Sequence, residues 1–158
     1  MHIQLTSKSL SAYLYLQSVY QSQASDPYRL LWLYLAEYEM NVELAKQKLK
    51  QRAELVDDNT WAKQVIYLYL DEISQEKFIS ELTNNVQSNK ELTDRLCEAY
   101  FYLGKYNQII GYNGAAANFF KLSLSTNVYE FVEHRYAKLE LELMRTKKVT
   151  SIEQINKS

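Results

Sequence analysis

The chain has 158 residues, with 18 Lys and Arg against 19 Asp and Glu and a net charge of −1, so the basic stripe that would neutralise phosphates is absent and nucleic acid is excluded as a partner. With only 3 Gly, 1 Pro and 1 Cys, long helices joined by short turns are favoured, and no internal disulfide can form. No apolar run approaches the ~20 residues a membrane-crossing helix needs, and the first residues lack a basic start, an apolar stretch and a small-residue cleavage site; the chain as written is expected to be soluble and to carry no export signal.

In chain order, residues 1–24 read as the orphan helix of an incomplete repeat, with its helical part over 9–23. Asp26 is a good N-cap and Pro27 suits a first helical turn, which predicts a helix over 28–40. Asn41 breaks it. Val42, Leu44, Ala45 and Leu49 then recur at helical spacing until Asp57, Asp58 and Asn59 end a second helix. Thr60 or Asn59 can cap a short helix through Trp61, Val65, Ile66 and Leu70, and Ser74 another that carries Phe78, Ile79, Leu82 and Val86 on one stripe. Leu92, Leu96, Tyr100 and Leu103 repeat up to a turn at Gly111, Tyr112, Asn113 and Gly114, beyond which Ala116, Phe119, Phe120, Leu122 and Leu124 continue. A last helix is expected over 129–145. Residues 146–158 form a polar tail, expected to fray. The chain therefore reads as all-α, three antiparallel helical hairpins and a closing helix stacked over residues 25–145.

Two stretches also fit strands, because Tyr13 to Leu16 and Tyr67 to Leu70 alternate large residues. Both are read as helical, since their neighbours are helical and an isolated strand pair is marginal without a sheet to join.

The third hairpin resembles a tetratricopeptide repeat, in which small residues let two helices touch and large ones fill the gap beside them. Tyr100 stands where the repeat places its Trp, followed by Leu103 and Gly104, with Gly111 in the turn, Ala116 at the close-contact point and Phe120 one turn later. Asn107, Ser123 and Val128 depart from the usual Tyr, Ala and Pro. The first hairpin keeps Trp32, Leu35 and Ala36 of the pattern and is otherwise degenerate.

Longer runs resemble one family closely, the NlpI-type lipoproteins of Gram-negative bacteria. They are Asp26-Pro27-Tyr28-Arg29, Leu31-Trp32-Leu33-Tyr34-Leu35-Ala36-Glu37, Tyr102-Leu103-Gly104-Lys105-Tyr106, Asn118-Phe119-Phe120-Lys121-Leu122 and the run from Asn127 through His134 to Ala137. The resemblance spans the C-terminal half of such a protein. It implies an outer-membrane, periplasm-facing adaptor that brings a tail-specific protease to a murein endopeptidase and scaffolds other cell-wall hydrolases in peptidoglycan turnover and cell division. The family's signal peptide, acylated cysteine and first repeats have no counterpart here, so the chain reads as a half that starts in mid-repeat. A membrane is implied only through that absent lipid anchor, and a homodimer is among the assemblies the family suggests.

Few residues invite chemistry. His134 lacks a second His, Cys or spaced carboxylate for a metal site and reads as a helix-surface imidazole one turn from Glu130. Cys97 reads as a small buried hydrophobe rather than a nucleophile. Gly104, Gly111 and Gly114 follow no phosphate-loop spacing. No cofactor, metal or catalytic residue is assigned. The 14 tyrosines offer large contact area with a polar tip, and several are expected on a concave face. Lys46, Lys48, Lys50 and Arg52, and Lys147 with Lys148, read as solvated charge.

If the first helix of each hairpin lines the concave groove, the partner-facing residues are Leu30, Leu33 and Glu37 in the first hairpin and Glu98, Phe101, Lys105 and Gln108 in the third. The expected function is that of a non-catalytic protein-binding adaptor. A hydrolase would need a nucleophile, base and oxyanion donor within mutual reach. A cytoplasmic repeat protein serving as a chaperone partner would need a groove lined with carboxylate-clamping cations, and the seven positions named are not basic enough for that.

Overall fold

The computed structural model describes residues 24–157. Among them are seven α-helices and no strand: α1 (Pro27–Tyr38), α2 (Val42–Ala53), α3 (Trp61–Tyr69), α4 (Gln75–Ser80), α5 (Asn89–Ile109), α6 (Asn113–Ser125) and α7 (Val132–Ile155). The all-α expectation holds, and Tyr67 to Tyr69 lie in α3. The expected orphan helix and Tyr13 to Leu16 lie outside the described residues. The chain divides into two compact units, Met1–Phe78 and Ile79–Ser158.

In the first unit, α1 starts at Asp26, whose carboxylate accepts from Tyr28 N at 3.0 Å, with Pro27 at the first position, where no amide is missed. Asn41 ends α1 and also caps α2, accepting from Leu44 N at 3.0 Å. The two helices pack as a hairpin, and α3 packs on both. Leu30, Leu31, Leu33, Tyr34, Leu49, Val65, Ile66, Leu68 and Tyr69 form the core. Two fully buried tyrosines, Tyr34 and Tyr69, have ring centroids 5.4 Å apart. Burial, with Tyr34 beside it, pushes the Tyr69 phenol well above its ordinary value.

Helix α2 stops at Ala53, four residues before the predicted end. Lys63 explains it. This buried side chain of α3 donates to the carbonyls of Ala53 and Val56, oxygens that a continued α2 would keep to itself. Lys63 also meets the Asp58 carboxylate at 3.2 Å.

The second hairpin departs most from expectation. Helix α4 has only six residues, Ile79 is exposed, and Leu82 and Val86 fall beyond its end. Asn85 adopts a left-handed conformation, φ 56°, which Asn tolerates better than most residues. The Arg95 guanidinium, reaching from α5, takes the Asn84 carbonyl at 2.6 Å and the Leu82 carbonyl at 3.3 Å.

In the second unit, Ser88 caps α5 by accepting from Glu91 N at 3.1 Å, while Glu91 reaches back to Gln87 N at 2.8 Å. This is close to a capping box. At the other end of α5, Gly111 takes φ 89°. The Tyr112 amide bonds the Asn107 carbonyl and the Gly111 amide that of Gln108, the paired bonds of a Schellman turn. Helix α6 starts at Asn113, so Gly114 belongs to its first turn and not to the loop. It returns antiparallel to α5, and α7 packs on both.

Helix α7 runs to Ile155, ten residues past the predicted end. The hydroxyls of Thr146, Thr150 and Ser151 bond carbonyls one turn back, and neither Gly nor Pro interrupts the stretch. The expected end of the last helix at residue 145 is corrected accordingly.

Candidate binding groove

The α5–α6 hairpin is drawn close at Gly104, whose missing side chain admits the Phe120 ring. Around this point Phe101, Tyr102, Leu103, Ala116 and Phe120 are buried. Phe101 lies 5.2 Å from Tyr102 edge-on and 6.0 Å from Phe120, between ring centroids. Tyr100 is half-buried and stacks on Phe119 at 6.3 Å. The positions at which this hairpin departs from the tetratricopeptide pattern are buried too, and two have defined partners: Asn107 donates to the Leu103 carbonyl at 2.8 Å and Ser123 Oγ to the Cys97 carbonyl at 2.8 Å.

Helix α7 is tied to α5 through charge. Glu140 accepts from Lys105 Nζ at 2.8 Å and from Gln108 Nε2 at 2.9 Å. Burial alone would raise the Glu140 pKa; the Lys105 charge, both hydrogen bonds and the charge of Lys147 outweigh it and hold the carboxyl below its ordinary value. Above this tie, α7 buries His134 and Ala137, and Tyr102 Oη donates to Glu133 at 3.1 Å.

Beside Glu140 lies a groove of about 760 Å³ lined mainly by α6 and α7. Its apolar lining is Ala117 from α6 with Leu141 and Met144 from α7. Lys121, Arg145, Lys147 and Lys148 supply four cations, Gln108 sits at the end of α5, and Asn113 and Gly114 open the first turn of α6 onto it. The Tyr112 side chain makes no capping bond to that turn. The amide ends of α6 therefore add their positive field to the four side chains. Among the described residues no carboxylate lines the groove. It combines an apolar lining with concentrated positive charge.

The predicted partner-facing residues fare unequally. Leu30, Leu33 and Phe101 are 1% exposed or less; they fill the core, which corrects the expectation that they face a partner. Apolar side chains at these helix positions meet neighbouring helices instead of an open concave surface. Glu37 is also buried, and both of its oxygens are held by Arg52, at 2.7 and 3.0 Å, with Lys48 at 3.5 Å. It fastens the α1–α2 hairpin rather than a partner. Glu98 is half-buried on α5 away from the groove lining. Gln108 does line the groove, and Lys105 stands behind it through Glu140. Trp32, Leu35 and Ala36, named for repeat packing, are half-buried.

Three further readings change. His134 is buried, not on the surface; its Nε2 lies 3.2 Å from the Leu124 carbonyl and its ring 4.9 Å from Tyr129. Lys46, Lys48 and Arg52 are not simply solvated, since they meet Asp71 or Glu37. Lys147 and Lys148 belong to the groove. Cys97 is fully buried, and that burial raises its thiol pKa. Among the described residues no group of three or more His, Cys, Asp or Glu could hold a metal ion.

Lys121, Leu141, Met144 and Arg145 escaped sequence reasoning. Their spacings were visible: Gly114, Ala117 and Lys121 share one helix face, as do Leu141, Met144 and Lys148. That the two faces converge was not. No protein-family model matches the chain.

Proposed function

We propose that the chain is a non-catalytic protein-binding adaptor whose groove between α6 and α7 takes an acidic, extended segment of a partner protein. The observation that carries this reading is the union of an apolar lining, four cations and an open helix N-terminus in one groove of about 760 Å³. Apolar contact would supply area, and the cations would supply register and a fast, salt-dependent encounter. A hydrolytic reading finds less support, because the Cys97 thiol is buried with a raised pKa and His134 is engaged with a backbone carbonyl.

By its resemblance to the NlpI-type lipoproteins, the partners to try first are a tail-specific protease and a murein endopeptidase at the periplasmic face of the outer membrane. The test is direct binding of each purified protein to the chain, repeated with Lys121→Glu and with Lys148→Glu. Each substitution is expected to weaken capture roughly tenfold, with affinity falling as salt rises. Binding that ignores both substitutions would place the partner surface elsewhere.

The four cations also favour a second reading, a clamp for the carboxylate end of a chaperone, which the groove positions inferred from the sequence had not been basic enough to support. A free acidic C-terminal peptide and its amidated form separate the two. The clamp needs the terminal carboxylate, whereas an internal acidic segment binds equally well with or without it.

A further inference from the structure

We propose that the segment held between α6 and α7 is recognised by a fixed pattern, two acidic residues four positions apart with an apolar residue midway between them. This rests on the groove reading above and adds which sequences fit it. The order of residues along the groove carries the inference. Helix α7 runs back along α6, since His134 near its start sets Nε2 3.2 Å from the carbonyl of Leu124 near the end of α6. Counted from that contact, Leu141 on α7 comes level with Ala117 on α6, and Met144 with Gly114, and both pairs line the groove. Ala117, Leu141 and Met144 are half-buried and form an apolar floor. A Cβ on Gly114 would meet nothing within 4 Å, so the floor stays open there. Lys121 stands at one end of this floor. Arg145, Lys147 and Lys148 stand at the other, level with the start of α6 at Asn113 and just past it.

The spacing follows from helix and strand dimensions. At about 1.5 Å per helical residue, Lys121 lies about 12 Å along the groove from Arg145 and about 16 Å from Lys148. An extended chain rises about 3.3 Å per residue and turns successive side chains to opposite sides. Residues two apart share a side but span only about 7 Å, and residues six apart overshoot at about 20 Å. Residues three or five apart face opposite ways. Four apart, at about 13 Å, brings both carboxylates to the groove side, one for each group of cations. The residue midway between them then faces Ala117, Leu141 and Met144, where an apolar side chain gains and a third carboxylate would be desolvated without a partner. The remaining two side chains point to solvent and are free to vary. One cation stands against three, so the two ends of the segment are not interchangeable.

Fluorescence anisotropy of labelled peptides at low salt tests the pattern. The matched peptide, acetylated and amidated, carries two glutamates four positions apart with a leucine midway in a background of serine. A second has the same composition with the glutamates three apart, and a third has serine in place of the leucine. The second is expected to bind the parent chain about threefold more weakly, having lost one ion pair, and the third about fivefold more weakly, having lost its contact with the floor. Two more peptides replace one glutamate or the other by lysine. Against Lys121→Glu, an exposed substitution whose retained helices far-ultraviolet dichroism checks, one of these two is expected to come within about twofold of the parent with the matched peptide. Only one end of the segment meets residue 121. No binding of the matched peptide, equal binding of the peptide with glutamates three apart, or recovery by both lysine peptides or by neither overturns the pattern. If Lys121→Glu still weakens capture in those cases, the groove reading stands without it; if Lys121→Glu changes nothing, that reading has gone too.

Discussion

A Cβ placed on Gly104 would stand 2.6 Å from Phe120 Cδ1 and 2.9 Å from Cζ, and closer still to Cε1; the α5–α6 contact exists because residue 104 has no side chain. In an open helix interior Gly→Ala would gain about 1 kcal/mol. Here Gly104→Ala is expected to lose about 1 to 3 kcal/mol through overpacking, because the Phe120 ring is buried and has nowhere to retreat. Adding Phe120→Leu to Gly104→Ala is expected to recover part of the loss. Thermal denaturation of the two single variants and the double reads the coupling, and strict additivity would mean the contact is not what limits this hairpin.

Glu37 and Arg52 fasten α1 to α2, with the carboxylate only 5% exposed. Arg52→Ala leaves that charge buried with Lys48 alone at 3.5 Å, and is expected to cost about 3 kcal/mol. The added change Glu37→Met is expected to return much of it by removing the stranded charge. Urea unfolding of the two variants checks the order; a double variant less stable than Arg52→Ala would contradict it.

The Glu140 carboxyl has a lowered folded pKa, so the Lys105–Glu140 tie is fully present above the ordinary glutamate value of 4.5 and is lost as pH falls through the lower folded value. Glu140→Gln is therefore expected to lower the melting temperature at neutral pH, with the gap to the parent closing as the solution is acidified below the ordinary carboxylate range. A gap that stays constant across that range would mean the charge on Glu140 contributes nothing.

Cys97 is buried beside Ser123, and burial raises its thiol pKa. Since the thiolate is the reactive form, labelling by a thiol reagent in native buffer is expected to follow opening of the α5–α6 hairpin and to accelerate in Gly104→Ala. Immediate labelling of the native chain would show that the thiol is accessible.

Local chemistry made most of the helix ends legible in the sequence. Asp26 with Pro27, Asn41, Ser74 and Gly111 act on amides and carbonyls within a few residues of themselves, and each stands at a helix boundary. The periodicity of Leu92, Leu96 and Leu103 likewise announced α5, and the scarcity of Gly and Pro announced an all-α chain. Two misplaced ends were decided by a side chain from the next helix: Lys63 takes the carbonyls of Ala53 and Val56 at the end of α2, and Arg95 takes those that follow α4; the end of α7 moved because nothing local interrupts it. The binding face was misread for a related reason. Periodicity shows that Leu33 and Phe101 share a helix side with other apolar residues, and cannot say whether a neighbouring helix or solvent lies against that side. Only the packing of α7 on the α5–α6 hairpin buries Phe101's surroundings, turns Glu140 toward Lys105 and Gln108, and gathers Lys121, Arg145, Lys147 and Lys148 around one groove, because charges up to 27 positions apart in sequence meet only when the helices carrying them do.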